Sequence, residues 1–171
     1  VVRDSDAFRL VHGEADGLPG LIIDSYGDYL VLQTLDQGMD RALPEIVDCL
    51  RTGFNPAGIV ARNEASVRTR ESLPRESAVL LGSIPDRVTI HLNGLVFSAD
   101  ILKGQKTGFF LDQRENYAAT ARWARGRALD CFTFTGGFAL HLATRCESVE
   151  AVDSSEHSLL LARENAGLNG I

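Results

Sequence analysis

The stretch "ALDCFTFTGGFAL" places a carboxylate, Asp130, near the end of one apolar run and two glycines, Gly136 and Gly137, at the mouth of the next. That order reads as strand, loop and helix. Glycine in such a loop lets backbone approach a ligand at the carboxyl end of a strand, where open α/β sheets bind their ligands. The following apolar run, "VEAVD", ends in a second acid, Asp153, about 20 residues after the loop, a position from which a carboxylate accepts from both ribose hydroxyls of a nucleoside. Acid, glycine loop and second acid in this order point to an adenosine-type cofactor. The GxGxxG pattern that cradles a pyrophosphate is absent, and Phe132 and Phe134 stand where such a loop carries small residues. S-adenosylmethionine has a nucleoside and an amino-acid tail but no phosphate, so it fits this loop better than NAD or FAD. Each feature alone also has a plain structural account. Gly136-Gly137 can be a tight strand-to-helix turn, and Asp153 a neighbour of a helix cap at Ser154 and Ser155. Cys131 reads as a core residue of its strand rather than as a nucleophile.

A second chemical stretch is "KTGFFLDQR", Lys106 to Arg114, where two adjacent phenylalanines stand between polar groups. The amino-acid tail of S-adenosylmethionine carries an ammonium and a carboxylate, and Asp112 beside Lys106 and Arg114 complements both charges. The aromatic pair supplies a dry wall. The alternative is a surface ion pair between Asp112 and Arg114, which contributes little.

The elements that must position these residues follow from periodicity. Leu21 to Ile23 and Tyr29 to Leu35, separated by "DSYGD", predict a hairpin that turns at Gly27. Helical spacing of Leu43, Ile46, Val47 and Leu50 predicts one helix from Met39 to Phe54 whose apolar face covers that hairpin. "AGIVAR" reads as a buried strand and "NEASVRTRESLPRES" as a short helix and loop, closing a small α+β unit near Leu81. Asn93-Gly94 in "RVTIHLNGLVFSADI" is a strong hairpin signal. Tyr117, Ala121 and Ala124 form a helical stripe ended by Gly126, and the remainder alternates as a parallel βαβ unit with a final helix. No internal repeat is visible.

Composition bounds the rest. A 171-residue chain with 44% hydrophobic and 23% charged residues is globular. No run of about 18 apolar residues is present, and "VVRDSDAFRL" lacks signal-peptide order, so a cytoplasmic protein with no membrane partner is the expectation. Cys49, Cys131 and Cys146 form no CxxC pair, which argues against a zinc site. The net charge of −6 argues against a whole-surface nucleic-acid footprint, while basic clusters at Arg62 to Arg75 and Arg122 to Arg127 remain open to phosphate contact.

"RLVHGEADGLPGLIIDSYGDYLVLQ", "KTGFFLDQR", "DCFTFTGGFAL" and "VDSSEHSLLLARENAGLNG" together resemble the bacterial class I S-adenosylmethionine-dependent RNA methyltransferases that methylate cytosine C5 in large-subunit ribosomal RNA. The resemblance runs over nearly the whole chain. It implies an α/β fold with an α+β N-terminal domain: a truncated Rossmann-like methyltransferase core, its first βαβα only, preceded by the α+β domain and a β-hairpin. The corresponding boundaries are 1–83 for the central domain, 84–102 for the hairpin linker and 103–171 for the incomplete core. By motif position, Asp130, Cys131, Phe132, Thr133, Gly136 and Gly137 belong to the cofactor loop, Asp153 takes the ribose and Ser154 lies near the adenine. Lys106, Thr107, Phe109, Asp112, Gln113 and Arg114 close over the methionine end.

The same resemblance implies parts this sequence does not show: an N-terminal PUA-type RNA-binding domain, an Asp-Pro-Pro motif and a catalytic cysteine. Cytosine-C5 methylation needs a thiolate to add to carbon six. None of the three cysteines is placed to do so, which predicts a poor or inactive enzyme from these residues alone. A half-built sheet leaves one strand edge unpaired and predicts self-association. RNA is the implied partner. A non-catalytic RNA-binding module and a dinucleotide oxidoreductase are the competing classes.

Overall fold

The computed structural model describes residues 4–104 and 107–171. Contacts divide it into two compact units, one of residues 6–88 and 100–108, the other of residues 4–5, 89–99 and 109–171. The residues of the second hairpin beyond 88 group with the C-terminal unit, and residues 100–108 return to the N-terminal one.

The N-terminal unit is a five-stranded sheet in the order β1 (Ala7–His12), β2 (Leu21–Tyr26), β3 (Tyr29–Thr34), β4 (Gly58–Asn63), β5 (Glu76–Gly82). The predicted hairpin is β2 and β3, turning through Gly27 at φ 58°. Within this sheet only β3 and β4 pair in parallel, and a parallel pair needs a crossover, which α1 (Gln37–Arg41) and α2 (Leu43–Phe54) provide, while the short helix α3 (Val67–Arg70) follows β4. The single helix predicted from Met39 is therefore two. Pro44 lies in the first turn of α2 and has no N–H to continue the α1 ladder, so the chain restarts there. The expected apolar face is present: Leu50 joins Leu21, Ile23, Leu30, Leu32, Ile59 and Ala61, with Leu43, Ile46 and Val47 packed against them. β1 and β5 fall in stretches read from sequence as unassigned or loop. Both are edge strands, and β5 is largely exposed, so no buried alternation announced it.

The opposite sheet face carries Asp24, Tyr26, Val31, Val60 and Arg62, all buried. Residues 100–104 and 107–108 lie against it. Arg62 donates to the carbonyls of Ile101 at 3.0 Å and Gly104 at 2.9 Å. Asp24 accepts from the Thr107 hydroxyl at 2.6 Å and from both nitrogens of the Arg9 fork. Because Thr107 spends its only proton on Asp24, the Tyr26 hydroxyl must donate to Thr107 Oγ1 at 3.0 Å.

The C-terminal unit combines the hairpin β6 (Val88–Leu92) and β7 (Leu95–Ala99) with α4 (Arg114–Trp123), β8 (Arg127–Cys131), α5 (Gly137–Ala143), β9 (Ser148–Val152) and α6 (Glu156–Leu168). Asn93 and Gly94 both take left-handed backbone, φ 53° and 82°, as a tight two-residue turn demands. Beneath it lies an aromatic core in which Phe97 meets Phe109 at 5.0 Å and Tyr117 meets Phe138 at 4.6 Å. His141 stacks on Tyr117 and Phe97 within that core. Its Nδ1–H donates to Gly137 O at 2.7 Å, the i−4 carbonyl, which leaves Nε2 to accept from Asn93 at 3.1 Å. Both ring nitrogens are thus satisfied in the neutral form. Burial lowers the His141 pKa below its ordinary 6.5, partly opposed by the Gly137 bond. In the unfolded chain the ring binds its proton first, so the stability held by neutral His141 is complete above about pH 6.5 and falls as pH drops toward the lower folded value. Denaturant midpoints measured across that window are expected to decline with acid, and an H141Q variant to show a shallower decline.

Candidate cofactor site

β8 and β9 run parallel and in register, with Asp130 opposite Ala151 and Cys131 opposite Val152. The two acids therefore emerge at the same edge of the sheet, Asp130 inside β8 and Asp153 one residue past β9. Between them the loop into α5 takes an unusual path. Phe132 at φ 63°, Phe134 at φ 53° and Gly136 at φ 89° are all left-handed, and for the two phenylalanines this conformation costs about 1–3 kcal/mol each.

Specific bonds hold that path. Thr133 N–H donates to Val152 O at 3.0 Å, and the Thr133 hydroxyl to Asp130 Oδ2 at 2.6 Å. The same Oδ2 accepts from Ala139 N–H at 3.0 Å, so Asp130 satisfies an otherwise orphaned donor in the first turn of α5. Asp153 Oδ2 accepts from Phe134 N–H at 2.9 Å and Oδ1 from Ser155 N–H at 2.9 Å. Bonds from Ser155 and Phe134 lower the Asp153 pKa, outweighing the slight effect of burial, and keep the carboxylate charged. An ionised carboxylate has roughly four acceptor positions, and with Ser154 N–H as a weaker third donor one stays open for a ribose hydroxyl. Ser155, not Asp153, caps α6 by accepting from Ser158 N–H.

Both glycines answer to the fold. A Cβ on Gly136 would meet Leu140 Cδ1 at 2.5 Å in addition to the left-handed strain. A Cβ on Gly137 would lie 2.7 Å from the Tyr117 ring and hydroxyl. Tyr117 donates to Phe110 O, and burial, then the charges of Asp112 and Asp130, push its phenol pKa up, so it stays protonated.

The sequence-selected residues divide into three groups. Asp130, Thr133, Gly136, Gly137 and Asp153 form one constellation, with exposed Ser154 beside it. Cys131 and Phe132 are also there, but Cys131 is exposed and is no core residue; the strand face it belongs to has no covering layer among the described residues. Phe132 is 89% exposed at the crest of the loop. In the second stretch Phe109 is buried in the aromatic core. Gln113 accepts from Asn116, and Arg114 pairs with Glu115 while its Nη1 is buried without a partner among the described residues. Asp112 is exposed. Thr107 belongs to the N-terminal unit, its proton committed to Asp24, and Lys106 lies outside the described residues. Phe110 of the expected aromatic wall meets Phe134 edge to face at 5.1 Å and joins the two stretches, a pairing and a role for Phe134 that sequence reasoning missed. The doubled aromatics in "GFFL" and "FTF" were the available signal.

The basic clusters separate as well. Arg62 and Arg68 are buried and bonded to backbone, while Arg70 and Arg75 of the same cluster are exposed. Arg122, Arg125 and Arg127 are exposed around Trp123, itself 86% exposed. Among the described residues no helix is long and apolar enough to cross a membrane, and no group of His, Cys, Asp and Glu could hold a metal ion.

The fold also occurs in solved methyltransferases. A protein from Streptococcus mutans, provisionally classed as a SAM-dependent methyltransferase, superposes with a TM-score of 0.85 at 25% identity over 99% of this chain and 44% of its own. A tRNA m1G37 methyltransferase from M. jannaschii shares the fold, with a TM-score of 0.67 at 22% identity over 86% of this chain and 42% of its own. The decisive likeness is in sequence: ribosomal RNA large subunit methyltransferase I of Erwinia tasmaniensis is 41% identical over 99% of the chain. The relatives are ribosomal RNA methyltransferases. The protein of that name from Escherichia coli O139:H28 is 38% identical over 96% of the chain. The chain spans 44% and 42% of the length of these two relatives. No protein-family model matches it.

Proposed function

We propose that this chain is the cofactor-holding part of an S-adenosylmethionine-dependent methyltransferase that acts on large-subunit ribosomal RNA, with a cytosine C5 as the target. The observation that carries the reading is Asp153: a charged carboxylate one residue past β9, pinned to the loop by Phe134 N–H and still able to accept a further hydrogen bond. A ribose diol supplies two donors. When bound, the cofactor brings an activated methyl group, and the residues of this chain bind and orient it. Asp130 holds the loop, Phe110 and Phe134 give an apolar wall, and Asp112 offers a negative charge for the ammonium of the amino-acid tail. The reading assigns no catalytic nucleophile to Cys49, Cys131 or Cys146. Trp123 with Arg122 and Arg127 supports an RNA partner, because an exposed ring stacks on bases while guanidinium groups meet phosphates. The second edge of β8 has no partner strand among the described residues, and there the reading places pairing with a further strand or a second copy.

Isothermal titration with S-adenosylhomocysteine tests the cofactor. Binding is expected in the parent chain, weakened roughly tenfold in D153A for each ribose hydrogen bond lost. Equal binding by D153A would remove the ribose role, and preference for NADH would replace the cofactor class altogether.

A further inference from the structure

Asn165 on α6 is completely buried, and its amide is bonded at both ends. Oδ1 accepts from Ser98 N–H of β7 at 2.7 Å, and Nδ2 donates to Thr135 O at 2.9 Å, the residue before Gly136 in the candidate loop. One helical turn later, Asn169 Oδ1 accepts from Val96 N–H at 2.9 Å, and its Nδ2 donates to Val96 O and Asn165 O. Val96 and Ser98 are alternate residues of one strand, so both N–H groups lie on one edge, and two amides spaced by one helical turn serve that edge in place of a strand. Both asparagines hold β7. Asn165 alone of the two also reaches the loop.

The loop has a bond at each stage of its path. Asp130 and Val152 O hold its start through Thr133, and Asp153 holds its middle through Phe134. Asn165 holds its end. Thr135 is itself buried, and its hydroxyl has no partner among the described residues, so solvent does not readily stand in for the amide. α6 also touches the same point through Ala162, whose Cβ would lie 3.4 Å from a Cβ on Gly136.

We infer that Asn165 is a positioning residue for the cofactor loop: by fixing the Thr135 carbonyl it keeps Gly136 left-handed and Phe134 N–H on Asp153, and so sets affinity for S-adenosylmethionine. This rests on the function proposed above. The test compares N165D with N169D in the 171-residue chain. Each keeps an acceptor for its β7 N–H and loses a donor, but only N165D loses the bond to the loop. Both are expected to lower the denaturation midpoint similarly. N165D alone is expected to weaken S-adenosylhomocysteine binding by about tenfold or more and to speed amide exchange at Phe134 and Gly136. Equal weakening by N169D, or parental binding by N165D, overturns the inference. If the parent chain binds no S-adenosylhomocysteine, the functional reading fails separately, and exchange still decides: unchanged protection at Gly136 in N165D overturns positioning. Should the charged variants fail to fold, N165A against N169A carries the same comparison.

Discussion

Replacing Asp130 with Ala is expected to weaken S-adenosylhomocysteine binding by about a hundredfold. Asp130 touches no ribose in this scheme. Its single oxygen Oδ2 accepts from both the Thr133 hydroxyl and Ala139 N–H, so the side chain joins the loop to the first turn of α5. Two hydrogen bonds to a charged acceptor contribute roughly 1.5–3 kcal/mol each, and about 3 kcal/mol corresponds to the stated factor. The left-handed conformations of Phe132 and Phe134 give the loop reason to relax once those bonds are gone. D130N separates this account from one based on charge. An amide oxygen in the Oδ2 position still accepts both bonds, so D130N is expected to retain most of the affinity lost in D130A. If titration calorimetry shows both variants equally impaired, the carboxylate acts through its charge and the positioning account is wrong.

The largest effect on folding is expected from R68M. Arg68 is 2% exposed, and its guanidinium donates to Pro74 O at 2.7 Å, to Thr34 O, to Thr34 Oγ1 at 3.0 Å and to Asp40 Oδ1 at 2.8 Å. Methionine fills much of the volume but none of the donors. The buried Thr34 carbonyl, the Pro74 carbonyl and part of the Asp40 carboxylate would lose their partner, a loss on the order of 3–5 kcal/mol. Urea unfolding of R68M should show a midpoint far below the parent, whereas R122Q, at an exposed site, should stay within about 0.5 kcal/mol. A small loss in R68M would return Arg68 to the pool of available phosphate contacts.

The contrast between Arg68 and Arg122 shows where the sequence stops. Both stand in arginine-rich stretches, and local spacing gives them equal standing. Burial differs because Arg68 follows β4 and meets the end of β3 some 34 residues earlier, a contact set by sheet pairing. Cys131 is the converse case. Its apolar run reads as core, yet the strand face it occupies has no covering layer among the described residues, so the thiol is exposed. The break between α1 and α2 is legible in Pro44, but the apolar spacing continues across it and by itself favours one helix.

The sequence by itself determined the order of elements around the site, the Asn93-Gly94 turn and the pair of acids flanking a glycine loop. All three rest on residue type and near spacing: left-handed backbone at a tight turn, period-2 and helical alternation, and carboxylates at strand ends. The tertiary structure alone decided how the site is held. Asp130 grips the loop, Asn165 reaches Thr135 across 30 residues, Phe110 meets Phe134, and Thr107 belongs to the buried cluster around Asp24 in the N-terminal unit. Apart from Asp130, whose partners Thr133 and Ala139 lie three and nine residues on, those partners are far apart in sequence. Hydrogen-bond satisfaction in a packed interior is a property of the closed fold, and no local pattern encodes which distant donor will meet a given carbonyl.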